Sequence, residues 1–136
     1  MKTNDKDIVI NFNTEEVHYV NSDTEQLNRV FINLLKNSIE SLKEKHQKTG
    51  DFKKKIDVEI RLINDYISIV VQDNGIGFTS NDLKTLSKPY FTTKKEGSGL
   101  GLSIVEKILN DHNGFIEFIS QKEGAKIKIL LPKYVN

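Results

Sequence analysis

Residues 89–105 read Pro-Tyr-Phe-Thr-Thr-Lys-Lys-Glu-Gly-Ser-Gly-Leu-Gly-Leu-Ser-Ile-Val, and the rest of the chain is organised around them. Gly97, Gly99 and Gly101 alternate here and lead directly into an apolar helical pattern. Glycine lets the backbone approach a ligand, and the first turn of a helix offers unpaired N–H groups at a positive dipole end. This combination suits a phosphate. A flexible connection would contain the same glycines, so the interpretation needs support from other segments.

The side chains just before these glycines add donors. Lys94 and the lysine that follows it supply positive charge, and Thr92 and Thr93 supply hydroxyl groups. Phe91 and the preceding tyrosine are the only large apolar groups between Pro89 and the glycines and can anchor this part of the segment to the core. A segment with several glycines and few apolar residues has the character of a mobile lid.

Composition sets the limits for the whole chain. Its 136 residues are 37% hydrophobic, which predicts one domain, residues 1–136, with a substantial core. The net charge of +1 argues against a basic nucleic-acid surface, and the absence of cysteine excludes disulfides and thiolate sites. No apolar run approaches the roughly 20 residues of a membrane helix, and the polar N-terminus does not resemble a signal peptide. We therefore expect a cytoplasmic chain that contacts neither nucleic acid nor membrane.

A long helix carries a pair of asparagines. Ser22 and Glu25 have the spacing of a capping box, which predicts a helix from this point to about Lys45. Asn33 and Asn37 lie four residues apart at the border of its apolar stripe. Two partly exposed amides that bind a neighbouring loop would explain the pair. A functional role would also explain it, with one amide oxygen as a ligand for Mg²⁺ and the second amide facing phosphates.

The clearest hairpin joins residues 56–62 to residues 67–71 through the turn Asn64-Asp65. Continuing the second strand by two residues places Asp73 on its inward face, where a carboxylate must meet donors. Gly75 and Gly77 follow and would let a purine lie against the main chain, with its exocyclic amine as a donor to Asp73. A glycine turn with a capping aspartate is the alternative.

The remaining pattern predicts an α+β fold, a two-layer α/β sandwich with helices on one face of the sheet. The further expected elements are strands over 8–12 and 17–20, a loop over 46–55, a short helix over 79–87, a helix from 102 to about 113 and a closing hairpin over 115–131 with its turn at 122–124.

Four segments in this order resemble the boxes of the catalytic ATP-binding domain of sensor histidine kinases, most closely the nitrogen-regulation type, within the superfamily that includes DNA gyrase, the heat-shock chaperone ATPase and MutL. The segments are Asn33-Leu-Leu-Lys-Asn37-Ser-Ile-Glu-Ser, Asp73-Asn-Gly75-Ile-Gly77-Phe, Pro89-Tyr-Phe91-Thr-Thr-Lys94 and Gly97-Ser-Gly99-Leu-Gly101-Leu-Ser-Ile-Val. The resemblance spans about residues 8–133.

The resemblance implies a mixed, mostly antiparallel sheet with about three helices on one face, a mobile ATP lid over about 88–101, and ATP and Mg²⁺ as cofactors. It implies that Asn37 holds the metal and that Asp73 recognises adenine. The implied catalytic residues are Asn33, Asn37 and Lys94. The implied nucleotide-binding residues are Asn33, Asn37, Asp73, Gly75, Gly77, Phe91, Thr92, Thr93, Lys94, Gly97, Ser98, Gly99, Leu100 and Gly101.

Two positions refine this expectation. ATP-hydrolysing relatives carry a glutamate that activates water where this chain has Asn33, and an amide cannot act as that base, so phosphoryl transfer is favoured over hydrolysis. Many histidine kinases carry a basic residue where this chain has Glu40, which leaves Lys94 or Lys95 as the better phosphate contact and the role of Glu40 open.

None of the three histidines, His18, His46 and His112, lies in a segment like the family's phosphoacceptor motif, so we expect all three to be structural. The expected partner is a phosphoacceptor histidine domain that precedes residue 1 in the full protein, with a response regulator acting indirectly. Because family dimerisation resides in those acceptor helices, we expect this chain to be monomeric.

Two other functions remain open at this point. An anti-sigma-type serine kinase shares the sandwich and would transfer phosphate to a serine. An ATP-dependent interaction module would bind nucleotide without phosphotransfer. A domain that binds no nucleotide would require all four boxes to be coincidental.

Overall fold

The computed structural model describes residues 7–14, 19–20, 22–77 and 99–134. Its elements are β1 (Val9–Thr14), α1 (Thr24–Thr49), β2 (Lys55–Ile63), β3 (Tyr66–Asp73), α2 (Gly99–Asp111), β4 (Phe115–Ser120) and β5 (Ala125–Pro132). The helix expected over 79–87 lies outside the described residues, as do 17 and 18 of the strand expected over 17–20. Tyr19 and Val20 are described and belong to no strand.

The five strands form one sheet in the order β1-β2-β3-β5-β4. Strand β1 runs parallel to β2, and the other neighbouring pairs are antiparallel. The sheet is therefore mixed and mostly antiparallel, as predicted. The described part of the chain contains two of the roughly three helices expected.

The register assigns one face of the sheet to the core. Ile56 pairs with Asp73 and Val58 with Val71, so Asp73 shares its face with the apolar residues of both strands. The buried apolar side chains are Leu27, Val30, Leu34, Leu42, Ile56, Val58, Ile67, Ile69, Val71, Val105, Ile108, Leu109, Ile127, Ile129 and Leu131. They come from the two helices and from β2, β3 and β5, which confirms the two-layer arrangement.

Helix α1 begins one residue later than the capping box predicts. Asp23 is the N-cap, and its carboxylate accepts the N–H of Gln26 at 3.2 Å, so the prediction of Ser22 as the cap was wrong. A carboxylate satisfies this N–H as a hydroxyl would and also interacts favourably with the positive end of the helix dipole. The apolar stripe along the helix is as expected.

The same helix ends four residues later than predicted, at Thr49. The assignment of the whole segment 46–55 to a loop was therefore wrong for its first four residues, and also for Lys55, where β2 begins. Polar side chains such as those of Gln47 and Lys48 favour helix, so polarity alone does not end one. The stop is Gly50, which has a φ of 86° and whose N–H donates to the carbonyl oxygen of His46 at 2.8 Å.

The turn after β2 and the end of α2 agree with the sequence patterns, whereas the start of α2 does not. Asn64 has a φ of 55° in the β2–β3 turn. At the end of α2, Asn113 has a φ of 58°, and the N–H of Gly114 donates to the carbonyl oxygen of Leu109 at 2.7 Å. Helix α2 begins at Gly99, before the predicted start at Leu102.

Among the described residues, no helix combines the length and apolar character needed to cross a membrane.

Candidate functional site

Asp73 is the last residue of β3 and is only 4% exposed. Its Oδ1 atom accepts hydrogen bonds from the N–H of Gly75 at 2.8 Å, from the N–H of Ala125 at 3.3 Å and from the hydroxyl of Ser41 at 3.3 Å. The donors belong to three separate parts of the fold: the loop after β3, the start of β5 and helix α1. Asp73 is therefore an inward-facing carboxylate that meets donors, as its strand parity predicts.

Burial raises the pKa of Asp73 above its ordinary value of 3.8. The hydrogen bonds from Gly75 and Ala125 and those from the hydroxyls of Ser38 and Ser41 oppose this increase. Burial outweighs them because a carboxylate loses its hydration when water is excluded. The protein thus keeps a costly acceptor in its interior, which is a common property of functional sites.

Asn74 fastens the loop after β3 to the start of β2. Its Oδ1 accepts the N–H of Lys55 at 2.9 Å, and its Nδ2 donates to the carbonyl oxygen of Lys53 at 2.7 Å. Its own carbonyl oxygen accepts the ammonium of Lys45 at 2.9 Å, and this ammonium also lies 4.6 Å from the centre of the Phe52 ring. These bonds restrict the backbone that follows Asp73.

Gly75 allows that backbone to approach α1. A Cβ at this position would lie 2.6 Å from the carbonyl carbon of Ser41 and 2.8 Å from the backbone nitrogen of Leu42. The next residue, Ile76, donates its N–H to the Ser41 hydroxyl at 2.9 Å. Helix packing therefore accounts for a glycine at 75, and a contact between its backbone and a purine stays a prediction.

Gly77 and Gly124 lie against each other. Both have positive φ, 81° and 77°, and a Cβ on Gly77 would lie 2.6 Å from the carbonyl oxygen of Gly124. A Cβ on Gly124 would collide with the carbonyl oxygen of Asp73 and lie 2.7 Å from the Cα of Asn74. The β4–β5 turn is thus packed directly on the loop that carries Asp73.

Asn33, Asn37 and Ser41 follow one another at four-residue intervals and form one row along α1. Both asparagines are half-buried, as expected at the border of the core. The side-chain N–H of Asn33 donates to the carbonyl oxygen of Arg29 at 2.9 Å. Because the row ends at the residue that contacts Asp73, the fold aligns the two amides with the buried carboxylate.

Residues 22–135 match the family model of histidine kinase-, DNA gyrase B- and HSP90-like ATPases. The chain belongs to this ATPase family. It is 38% identical over 118 residues to a protein of Rickettsia conorii described as an NtrY-like sensor histidine kinase, a match that covers 86% of this chain and 18% of that protein. It is 35% identical over 116 residues to sporulation kinase A of Bacillus subtilis, covering 85% of this chain and 18% of the relative.

A solved structure extends the likeness to three dimensions. The nucleotide-free catalytic domain of the histidine kinase ThkA has a TM-score of 0.80 and 30% identity, over 96% of this chain and 82% of that one. The chain is thus an ATPase domain of the histidine-kinase catalytic type, and family membership implies that it binds ATP. It spans less than a fifth of the two curated relatives named above, at 18% of each.

The predicted family residues of the lid lie mostly outside the described part of the chain. They are Phe91, Thr92, Thr93, Lys94, Gly97 and Ser98. Gly99, Leu100 and Gly101 are described through their backbone, which forms the first turn of α2. The alternating glycines therefore lead directly into a helix, as the sequence predicts, and two of them lie within it.

Sequence reasoning missed three residues around Asp73: Ser41, Gly124 and Ala125. Ser41 had a usable signal, because it lies four residues after Asn37 in the same helical row. Gly124 was recognised only as a turn residue, and nothing in the local sequence indicates that this turn contacts the end of β3. Ala125 acts through its backbone N–H, which leaves no trace in the residue type.

Of the three histidines, His112 has contacts typical of a structural residue. Its Nε2 accepts the N–H of Asp23 at 3.1 Å, and its Nδ1 lies 2.8 Å from the carbonyl oxygen of Ile108. Nδ1 therefore carries the proton, and the ring joins the start of α1 to the end of α2. His46 is half-buried near the end of α1, with its Nδ1 3.4 Å from Asp51. His18 lies outside the described residues.

Proposed function

We propose that this chain binds Mg²⁺·ATP and transfers the γ-phosphoryl group to a histidine on a separate phosphoacceptor domain. The observation that carries the proposal is the buried carboxylate of Asp73, held by three donors and aligned with Asn33 and Asn37 on α1. The relatives named as sensor histidine kinases support the same reaction. The proposed unit is a single monomeric cytoplasmic domain, residues 1–136.

Asp73 recognises adenine in this proposal. Adenine presents an exocyclic amine, which donates hydrogen bonds, and an ionised carboxylate only accepts them. The backbone at Gly75 and Gly77 borders the base, and the closely packed β4–β5 turn keeps that border rigid. Since the site exists before ligand arrives, little ordering has to accompany binding of the base.

Asn37 holds Mg²⁺. The described residues contain no group of three or more His, Cys, Asp or Glu side chains that could hold a metal ion. Mg²⁺ usually keeps several waters and takes one or two protein oxygens together with substrate phosphates, so a single amide oxygen fits this role. When bound, the ion neutralises charge on the phosphates. The residues proposed to surround the phosphates are Asn33, Phe91, Thr92, Thr93, Lys94, Gly97, Ser98, Gly99, Leu100 and Gly101, with Asn33 and Lys94 as catalytic residues beside Asn37.

Transfer rather than hydrolysis follows from Asn33, whose amide cannot take a proton from water. The proposed acceptor histidine comes from outside this chain, because none of its three histidines lies in a segment like the family's phosphoacceptor motif and both ring nitrogens of His112 are engaged. The proposed partner is therefore a phosphoacceptor histidine domain, and a response regulator receives the phosphoryl group from it. Positioning and charge neutralisation supply most of the catalysis.

Calorimetric titration of Mg²⁺·ATP tests the pocket. We expect the parent chain to bind, Asp73→Asn to lose binding, and Asn37→Ala to lose the part of the affinity that depends on Mg²⁺. Asn28→Ala is the matched control, because Asn28 is exposed on the same helix. A folded parent chain that binds no ATP, or two site variants that bind like the control, would show that the pocket is misassigned.

The acceptor is tested separately by incubation with labelled ATP and the phosphoacceptor domain of a relative. Phosphohistidine is labile in acid, whereas phosphoserine is stable, so the lability of the product identifies the acceptor type. An acid-labile product supports the proposal. An acid-stable product indicates a serine kinase, and binding without transfer indicates a nucleotide-dependent interaction module.

A further inference from the structure

Ser41 donates a side-chain hydrogen bond to Asp73, as does Ser38 one turn earlier on α1. Two of the three donors to Oδ1 are backbone N–H groups, from Gly75 and Ala125, and the third is the Ser41 hydroxyl at 3.3 Å. Ser41 is 4% exposed, so its hydroxyl does not exchange this bond for one to water. Among the three donors to Oδ1 it is the only side chain, so a substitution by alanine removes it without altering the backbone.

The neighbour on the other side of Ser41 determines where the hydroxyl hydrogen points. The N–H of Ile76 donates to the Ser41 oxygen at 2.9 Å, so that oxygen already acts as an acceptor. A serine hydroxyl has one hydrogen, and the remaining contact is with Asp73. The hydroxyl therefore donates to the carboxylate and stabilises its ionised form.

We propose that Ser41 is a positioning residue that keeps Asp73 oriented as an ionised acceptor and thereby sets the preference of the site for adenine over guanine. The inference rests on the proposed function, in which Asp73 faces the base. Adenine presents an amine donor at the position where guanine presents a carbonyl acceptor. An ionised Asp73 attracts the first and repels the second, whereas a protonated or rotated Asp73 loses this distinction.

The balance at Asp73 makes its ionisation sensitive to one donor. Burial raises the pKa of Asp73, and its hydrogen bonds lower it, so loss of the Ser41 bond raises the pKa further. Among the charged side chains near Asp73, those of Lys55, Asp57, Lys122 and Glu123 line the same cavity, Lys45 on α1 binds the carbonyl oxygen of Asn74, and Lys126 follows Ala125 on β5. The causes of the shift at Asp73 are burial and hydrogen bonds, not these charges.

The test compares the parent chain with Ser41→Ala by calorimetric titration of Mg²⁺·ATP and Mg²⁺·GTP from about pH 5 to about pH 8. The 3.3 Å bond is long for a charge-assisted hydrogen bond, so we expect a fall in ATP affinity of about tenfold at neutral pH. GTP affinity stays constant, so the preference for ATP falls by the same factor. The acid loss of ATP binding begins at a higher pH in the variant.

Thr49→Ala is the matched control, because it removes a hydroxyl on the same helix that donates to the backbone of Lys45 at 2.9 Å. We expect it to bind like the parent. If Ser41→Ala does not fold, Ser41→Cys replaces it, since a thiol keeps the size but donates weakly. Equal losses for ATP and GTP at every pH would mean that Ser41 is merely structural, and unchanged binding would mean that it has no role; either result overturns the proposal.

Carbon-13 NMR titration of the Asp73 carboxylate without nucleotide separates this inference from the proposed function. We expect the pKa of Asp73 to be higher in Ser41→Ala than in the parent, and an unchanged pKa would overturn the inference even if ATP binds. If the parent binds no ATP, the proposed function fails, and the adenine preference fails with it. If the parent binds ATP and Ser41→Ala has the same preference for ATP over GTP as the parent, only the role of Ser41 is overturned.

Discussion

Replacement of Asp73 by asparagine separates the stability of this fold from its function. The side chains have the same shape, and asparagine keeps an Oδ1 atom that can accept the N–H groups of Gly75 and Ala125 at 2.8 and 3.3 Å. The change removes the charge and places an NH₂ group where the carboxylate has its other oxygen. We expect the variant to be at least as stable as the parent chain at neutral pH and to bind ATP about a hundredfold more weakly.

The direction of the stability change follows from the raised pKa of Asp73, which already includes the effect of its hydrogen bonds. The folded state binds this proton more tightly than the unfolded state, whose value is near 3.8. The stability gained from this tighter proton binding is thus fully present below about pH 3.8 and is lost as the pH rises through the pKa of Asp73 in the folded state. Each tenfold difference in proton affinity corresponds to about 1.4 kcal/mol in the free energy of unfolding. Asparagine does not titrate, so the stability of the variant lacks this dependence on pH.

The binding loss has a different origin. In the proposed complex, the adenine amine would lose a charged acceptor and face an amide donor, so one hydrogen bond would disappear and two donors would oppose each other in a buried site. Such a change costs about 3 kcal/mol, which corresponds to about a hundredfold in affinity.

The measurements are urea unfolding from about pH 4 to about pH 8 and calorimetric titration of Mg²⁺·ATP at neutral pH. We expect the stability curves of Asp73→Asn and the parent to converge in acid and to separate at neutral pH, with the variant higher. A variant that is less stable than the parent by a constant amount at every pH would refute the account of burial. An ATP affinity close to that of the parent would refute the proposed role of Asp73.

Other substitutions test the packing that positions the site. Gly124→Ala places a Cβ against the carbonyl oxygen at the end of β3, at a φ of 77°, and should lower the free energy of unfolding in urea by more than about 3 kcal/mol. Gly50→Ala, at a φ of 86° with no atom within 4 Å, should lower it by only about 1 kcal/mol, and equal losses would contradict the close packing at Gly124. His112→Ala removes the bond that joins the start of α1 to the end of α2 and should lower the free energy of unfolding by about 1–2 kcal/mol; an unchanged midpoint would contradict the structural role. Leu34→Ala leaves a cavity at a fully buried position and should lower the free energy of unfolding by about 2–5 kcal/mol. Ile32 is 58% exposed on the same helix, so Ile32→Ala should lower it by less than about 0.5 kcal/mol; similar losses for the two variants would show that the core is assigned to the wrong face of α1.

Local patterns predicted most of the elements because the signals are local. The alternation over residues 56–71 predicted the β2–β3 hairpin and the inward direction of Asp73, since strand parity depends only on neighbouring residues. The apolar stripe predicted α1 for a similar reason. Its ends were less certain, because Ser22 and Asp23 are both good caps and only the backbone decides between them.

The candidate site was predictable as far as its residues share an element. Asn33 and Asn37 were recognised from one helical row, and Asp73 with Gly75 and Gly77 from one strand end. The order of the four boxes then indicated the family, which the family match confirmed. The roles of the individual residues stay predictions.

The sequence by itself thus determined most of the described elements, the inward carboxylate and the ATPase family. Only the tertiary structure decided which donors meet that carboxylate. Ser41 and Ala125 reach Asp73 from 32 and 52 residues away in the chain. The physical reason is that a strand or helix pattern reports on neighbours within a few residues, whereas a buried carboxylate is satisfied by whichever distant backbone and side-chain groups the packing of helix on sheet brings within hydrogen-bond distance.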